Sequence, residues 1–107
     1  MVPVKVEFLM WQGRDLGPEV VRPDGDTRAR LETEVEEGAT VGELFRQLAA
    51  RYPAVKEMVF PGDRLSPYMV ATLNSDGLSR EELLERPVQP GDLVSVFPII
   101  IGGQRAM

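Results

Sequence analysis

A chain of 107 residues with 43% hydrophobic and 27% charged content has the size and make-up of one soluble domain with a core of its own. Its net charge of −5 and its scattered Lys and Arg residues lack the basic stripe that a phosphate backbone requires, which argues against nucleic acid. The absence of cysteine and histidine excludes disulfides, a thiolate nucleophile, Cys-based metal sites and the commonest general base and metal ligand.

Seventeen carboxylates remain, none in a motif that would raise its pKa and pair it with a partner. No catalytic residue, no metal site and no bound cofactor are therefore assigned. No apolar run approaches the roughly 20 residues that cross a bilayer. The opening Met1-Val2-Pro3-Val4-Lys5-Val6 lacks the basic start and cleavage site of a signal peptide, so a cytoplasmic location is expected.

The first ten residues alternate, with Val4, Val6, Phe8 and Met10 on one face and Lys5, Glu7, Leu9 and Trp11 on the other, the period of a strand with one face on a core. Gln12 to Thr27 is rich in Gly, Pro and Asp and reads as a long loop. A second strand over Arg28 to Val35 turns Ala29, Leu31, Thr33 and Val35 inward, and pairs with the first as a hairpin. The acidic run Glu32, Glu34, Glu36 and Glu37 then reads as a solvated strand face.

Thr40 and Glu43 form a capping box that opens the clearest helix. Val41, Leu44, Phe45, Leu48, Ala49 and Tyr52 make its buried stripe, and Pro53 stops it. Ala54 to Val59 adds a short helical turn. Tyr68 to Asn74 is a third strand, Asn74-Ser75-Asp76-Gly77 a turn, and Ser79 to Glu85 a short helix with its own capping box, Ser79 and Glu82. Gln89-Pro90-Gly91-Asp92 suits a type II turn before the last strand, Asp92 to Ile101.

The order strand, strand, helix, strand, short helix, strand predicts an α+β domain in which one main helix packs across a mixed sheet of four to five strands, the β-grasp arrangement. Residues 1–98 form that domain and 99–107 an extended tail. Gly102-Gly103 sits in the tail after Phe97-Pro98-Ile99-Ile100-Ile101. Two residues without a Cβ let the main chain enter a channel too narrow for side chains. Ile99 is expected to pack at the strand end. Phe97, Ile99, Ile100 and Ile101 together form the stretch assigned to partner contact, since an apolar run just before Gly-Gly is hard to bury. Met58, Val59 and Phe60 read as helix-end packing.

Four segments, in order, resemble the ubiquitin-like sulfur carriers typified by the small subunit of molybdopterin synthase and the thiamin-pathway sulfur carrier, the MoaD/ThiS family. They are Phe8 with Arg14-Asp15-Leu16-Gly17; Thr40-Val41-Gly42-Glu43-Leu44 through Leu48 and Tyr52-Pro53; Val70-Ala71-Thr72-Leu73-Asn74; and Gly91-Asp92-Leu93-Val94-Ser95-Val96-Phe97-Pro98-Ile99 through Gly102-Gly103. The last is the most specific. The long Gly17 to Thr27 loop departs from the pattern and leaves the pathway served open.

The resemblance implies that the Gly103 carboxylate is adenylated by a separate ubiquitin-activating-type enzyme using ATP. AMP then exchanges for sulfur, leaving a thiocarboxylate for a downstream sulfur-accepting enzyme that makes cysteine, molybdopterin, thiamin or another thio-metabolite. Gly102 and Gly103 thread into the partner, and the six residues Pro98 to Gly103 reach roughly 20 Å at about 3.3 Å each when extended. Because Gly103 is bonded to Gln104, it carries an amide, so cleavage between Gly103 and Gln104 by a JAMM-type zinc metalloprotease is expected first. A ubiquitin-like modifier joined to lysines, or a β-grasp interaction domain with an inert tail, are the competing readings.

Overall fold

In the computed structural model, residues 1–9 and 28–99 are described. Their strands are β1 (Val2–Leu9), β2 (Arg28–Val35), β3 (Met69–Leu73), β4 (Asp76–Gly77) and β5 (Leu93–Pro98), and their helices α1 (Val41–Arg51), α2 (Pro53–Met58) and α3 (Arg80–Glu85). The five strands form one mixed sheet in the order β2-β1-β5-β3-β4. β1 and β5 run parallel at its centre, and every other pairing is antiparallel.

Alternation and register together decide what the sheet buries. Ala29, Phe8, Val96 and Ala71 stand opposite one another across four strands, and Leu31, Val6, Val94 and Leu73 form the next row. All eight are buried. A one-residue slip in any strand would turn its apolar set to water, so the register is held by the core it builds. Val41, Leu44, Phe45 and Leu48 of α1 complete that core, and Phe45 stacks on Phe60 with ring centroids 5.9 Å apart.

Both capping boxes form. Glu43 N–H donates to Thr40 Oγ1 at 3.1 Å and Thr40 N–H to Glu43 Oε1 at 2.9 Å. Ser79 and Glu82 repeat the exchange at 2.9 and 3.0 Å. Tyr52 closes α1 and caps α2, in the extended geometry that the following Pro53 imposes. Gly91, at φ +83°, takes the third position of its turn, where Asp92 N–H donates to Gln89 O at 3.1 Å, the type II geometry. Glu32, Glu34, Glu36 and Glu37 are all exposed.

Three expectations need correction. The Asn74–Gly77 segment is more than a turn: Asn74 and Ser75 alone turn the chain, at φ 51° and 76°, and Asp76–Gly77 pairs back on β3 as β4. That is the geometry of a two-residue hairpin loop with both residues left-handed. The last strand begins at Leu93 and ends at Pro98. Ile99 is 39% exposed rather than packed, because strand parity turns it to the same sheet face as Phe97, away from the helices. Val59 and Phe60, by contrast, are fully buried, and Met58 is exposed. Met10, Trp11, the Gln12–Thr27 loop and residues 100–107 lie outside the described residues.

Candidate functional site: the base of the tail

The C-terminal tail leaves from one of the two central strands. The last rung it makes is Ile99 N–H donating to Tyr68 O at 2.8 Å, one step beyond the Met69 and Pro98 pair. Of the residues assigned by sequence to partner contact, Phe97 is half-buried and Ile99 exposed. Ile100, Ile101, Gly102, Gly103 and Gln104 lie outside the described residues, so the adenylation, threading and cleavage positions are known here by sequence alone.

Phe97 faces away from the helices, opposite Val70 of β3. Leu9, at the matching end of β1, is likewise half-buried and stands opposite Arg28. An apolar strip thus lies beside the tail base, with arginines at its β2 side. One carboxylate orders those arginines. Glu7, on the same face, accepts from Arg30 Nη2 at 2.8 Å and Nε at 3.3 Å, and Arg28 Nε lies 3.7 Å away. The Glu7 side chain is only 9% exposed, and such a group needs charged partners to remain buried.

Tyr68 is the residue that sequence reading missed. It is 75% exposed, the largest exposure among the large apolar and aromatic side chains of the described residues, and it sits at the root of the tail. Its N–H donates to Ser66 Oγ at 3.2 Å, a hydroxyl turn that fixes the ring's backbone. The Ser66-Pro67 turn signal was visible, but an aromatic at a strand start reads as core until the pairing register is known.

Among the described residues, no three carboxylates gather into a metal-holding group, and no helix is long and apolar enough to cross a membrane. Among the described residues, the Glu82 carboxyl is held below its ordinary value, chiefly by the Ser79 backbone N–H and then the Ser79 hydroxyl, with Arg86 adding to both. It lies in a helix cap, and is structural.

Comparison with known proteins places this geometry in a family. The chain is 29% identical over 69 residues to small archaeal modifier protein 3 of Haloferax volcanii, an overlap covering 64% of this chain and 75% of that one. It superposes with a TM-score of 0.60 and 27% identity on a Pyrococcus furiosus protein described as molybdopterin converting factor, subunit 1, covering 94% of this chain and all of the other. The crystal structure of Haloferax volcanii small archaeal modifier protein 1 matches at a TM-score of 0.59 over 91% of this chain and 99% of that one; at 22% identity it speaks for the fold alone. The ThiS family model matches residues 24–103, ending on the second glycine of the pair. The chain belongs to the ThiS family of ubiquitin-fold proteins.

Proposed function

We propose that this protein is a sulfur carrier, acting as a co-substrate of other enzymes rather than as an enzyme itself. Its reactive group is the Gly103 carboxylate, released when a JAMM-type metalloprotease hydrolyses the Gly103–Gln104 bond. A carboxylate oxygen attacks the α-phosphorus of ATP on a ubiquitin-activating-type partner, forming the acyl-adenylate and releasing pyrophosphate. Sulfide then attacks the acyl carbon, AMP leaves with the bonding electrons, and a thiocarboxylate remains for a downstream sulfur-accepting enzyme in the cytoplasm.

The observation that carries this reading is the family match that ends on Gly103, directly beyond a core strand whose last rung is Ile99. The chain has no cysteine, which agrees with sulfur carried on the main chain. Phe97, Ile99, Ile100 and Ile101, with Tyr68, supply the apolar contacts for the partner, and Gly102-Gly103 the narrow segment that enters its channel.

A second reading has its own support. The similarity to a protein named as a modifier favours the same activated glycine being passed to a lysine amine of another protein. Intact mass of the protein taken from its own cells separates the readings. A species ending at Gly103 with one oxygen exchanged for sulfur is expected, whereas isopeptide-linked adducts favour the modifier. A chain that retains Gln104 under all growth conditions leaves Gly103 an amide and removes both.

A further inference from the structure

β2 is an edge of the sheet, because the order β2-β1-β5-β3-β4 gives it a neighbour on one side only. Its main chain can be followed group by group. Lys5 N–H donates to Asp92 O at 2.9 Å, and Pro3 O accepts from Gly91 N–H at 2.9 Å. The odd-numbered residues of β1 thus aim their peptide groups toward β5. Val2, Val4, Val6 and Phe8 serve the antiparallel ladder, opposite Val35, Thr33, Leu31 and Ala29. The peptide groups of Arg28, Arg30, Glu32 and Glu34 therefore point off the sheet. Gln47 agrees, since its Nε2 reaches over the edge and donates to Glu34 O at 2.9 Å.

The side chains of those four residues share the outer face of the sheet, opposite to buried Ala29, Leu31 and Val35. Arg30, Glu32 and Glu34 are exposed and Arg28 is half-buried. Charge on an edge strand commonly keeps other strands away. Here the order of the signs admits one partner. Arginines occupy the first half of β2 and glutamates the second, so the strand complements itself when turned end for end. Antiparallel pairing about a two-fold axis at Leu31 sets Arg28 against Glu34 of the second copy and Arg30 against its Glu32. The symmetry repeats both pairs. An axis at Arg30 or at Glu32 would bring like charges face to face, and registers between these mismatch the pleat.

We infer that β2 is a self-association edge whose occupant is β2 of a second copy, paired antiparallel about Leu31. The outward N–H and C=O groups of Arg30 bond to those of Glu32 across the junction, and Arg28 bonds likewise to Glu34. The Glu34 carbonyl keeps a second lone pair beside Gln47. Arg30 already holds Glu7 through Nη2 and Nε, at 2.8 and 3.3 Å, and the five donors of a guanidinium suffice for both carboxylates. Each copy spends the same edge, so assembly closes at two. β1 lies between the junction and β5, which leaves both tail bases uncovered. The pairing requires none of the tail chemistry and stands or falls apart from it.

Sedimentation equilibrium of the full chain over a concentration series tests the inference, and a monomer–dimer equilibrium is expected. Glu32→Arg sets like charges face to face and is expected to weaken the dimer by about tenfold or more, although it reduces the net negative charge. Glu85→Arg makes the same change of charge at an exposed position of α3 and is expected to leave the dimer no weaker. Glu32→Pro removes an outward N–H that the β1 ladder does not use, and proline is tolerated on such an edge. Its circular dichroism is expected to match the parent while the dimer is lost. Amide hydrogen exchange is expected to show concentration-dependent protection at Arg30 and Glu32. A chain that stays monomeric at millimolar concentration overturns the inference. So does a dimer that tolerates Glu32→Arg, or one that Glu85→Arg weakens equally.

Discussion

Asn74 binds Asp92 and its neighbour through both ends of its side-chain amide: Nδ2 donates to Asp92 Oδ1 at 3.0 Å, and Oδ1 accepts from Leu93 N–H at 2.9 Å. The Asn74 backbone N–H also donates to Leu93 O at 2.8 Å. The β3–β4 turn is thereby tied to the start of β5, at the end of the strand opposite the tail. At φ 51° asparagine suits the position, since it enters the left-handed region more readily than most residues. Asn74→Ala is expected to cost about 2 kcal/mol through lost hydrogen bonds and backbone strain. Asn74→Gly, which keeps the backbone freedom, is expected to cost less. Urea unfolding of the two variants measures the difference, and equal losses would show that backbone conformation contributes nothing.

The Glu7–Arg30 pair is asymmetric in burial, with 9% of the Glu7 side chain exposed against 45% for Arg30. Removing the arginine strands a buried carboxylate; removing the carboxylate leaves arginines that can turn to water. Arg30→Ala is expected to lose about 1–2 kcal/mol, discounted for the solvent at the guanidinium and for Arg28 nearby. Glu7→Gln is expected to lose less. Chemical denaturation of both variants, with the order of the two losses as the readout, decides it.

Glu82 supplies a pH signature. Its folded pKa lies below the ordinary value of 4.5, so the ionised cap contributes stability that is fully present above that value and is lost as pH falls through the folded pKa. Ser79→Ala and Glu82→Ala are both expected to lower the melting temperature at neutral pH. The deficit of Glu82→Ala should shrink in the acid range below 4.5, where the wild-type carboxyl also becomes neutral. A deficit independent of pH would remove the charged cap from the account.

Gly42 stands in the first turn of α1, where a Cβ would come within 2.9 Å of Leu84 Cδ2 and 3.5 Å of the Leu83 carbonyl oxygen. Leu84 is 47% exposed and can swing aside. Gly42→Ala is therefore expected to be near neutral, the helix-propensity gain of about 1 kcal/mol offsetting the adjustment. Gly42→Val meets the α3 backbone as well and is expected to destabilise by about 1–3 kcal/mol. Calorimetric melting distinguishes the two.

Tyr68 offers a test of the tail base that leaves the fold alone. With three quarters of its surface in water, its truncation to Ala is expected to change stability by less than about 0.5 kcal/mol. If a partner grips the tail at its root, the same change should raise the KM for this protein in ATP–pyrophosphate exchange by about tenfold, as for an aromatic anchor. An unchanged KM would move the partner's footprint away from Tyr68.

Much of this was legible along the chain. The alternation of Val4, Val6 and Phe8, the stripe from Val41 to Leu48, and the Thr40–Glu43 and Ser79–Glu82 boxes are local signals whose physics is complete within a few residues. What was not legible depended on pairing between distant segments. Ile99 and Tyr68 look like core on apolarity alone, and only the β3–β5 register turns Ile99 out and leaves Tyr68 uncovered. Asp76–Gly77 is too short to show a strand period. The glycine pair was conspicuous as a motif, because its meaning lies in the missing side chains rather than in the fold.

The placement of β5 between β1 and β3 has a mechanical consequence. A partner that draws Gly103 into its channel pulls lengthwise on a strand held along both sides, by β1 from Leu93 to Val96 and by β3 from Val94 to Pro98. Such a load is shared by rungs on both flanks at once, in shear, instead of peeling them one after another from an edge. The domain can therefore be hauled by its tail without coming apart, and traction from an enzyme is spent on positioning the glycine.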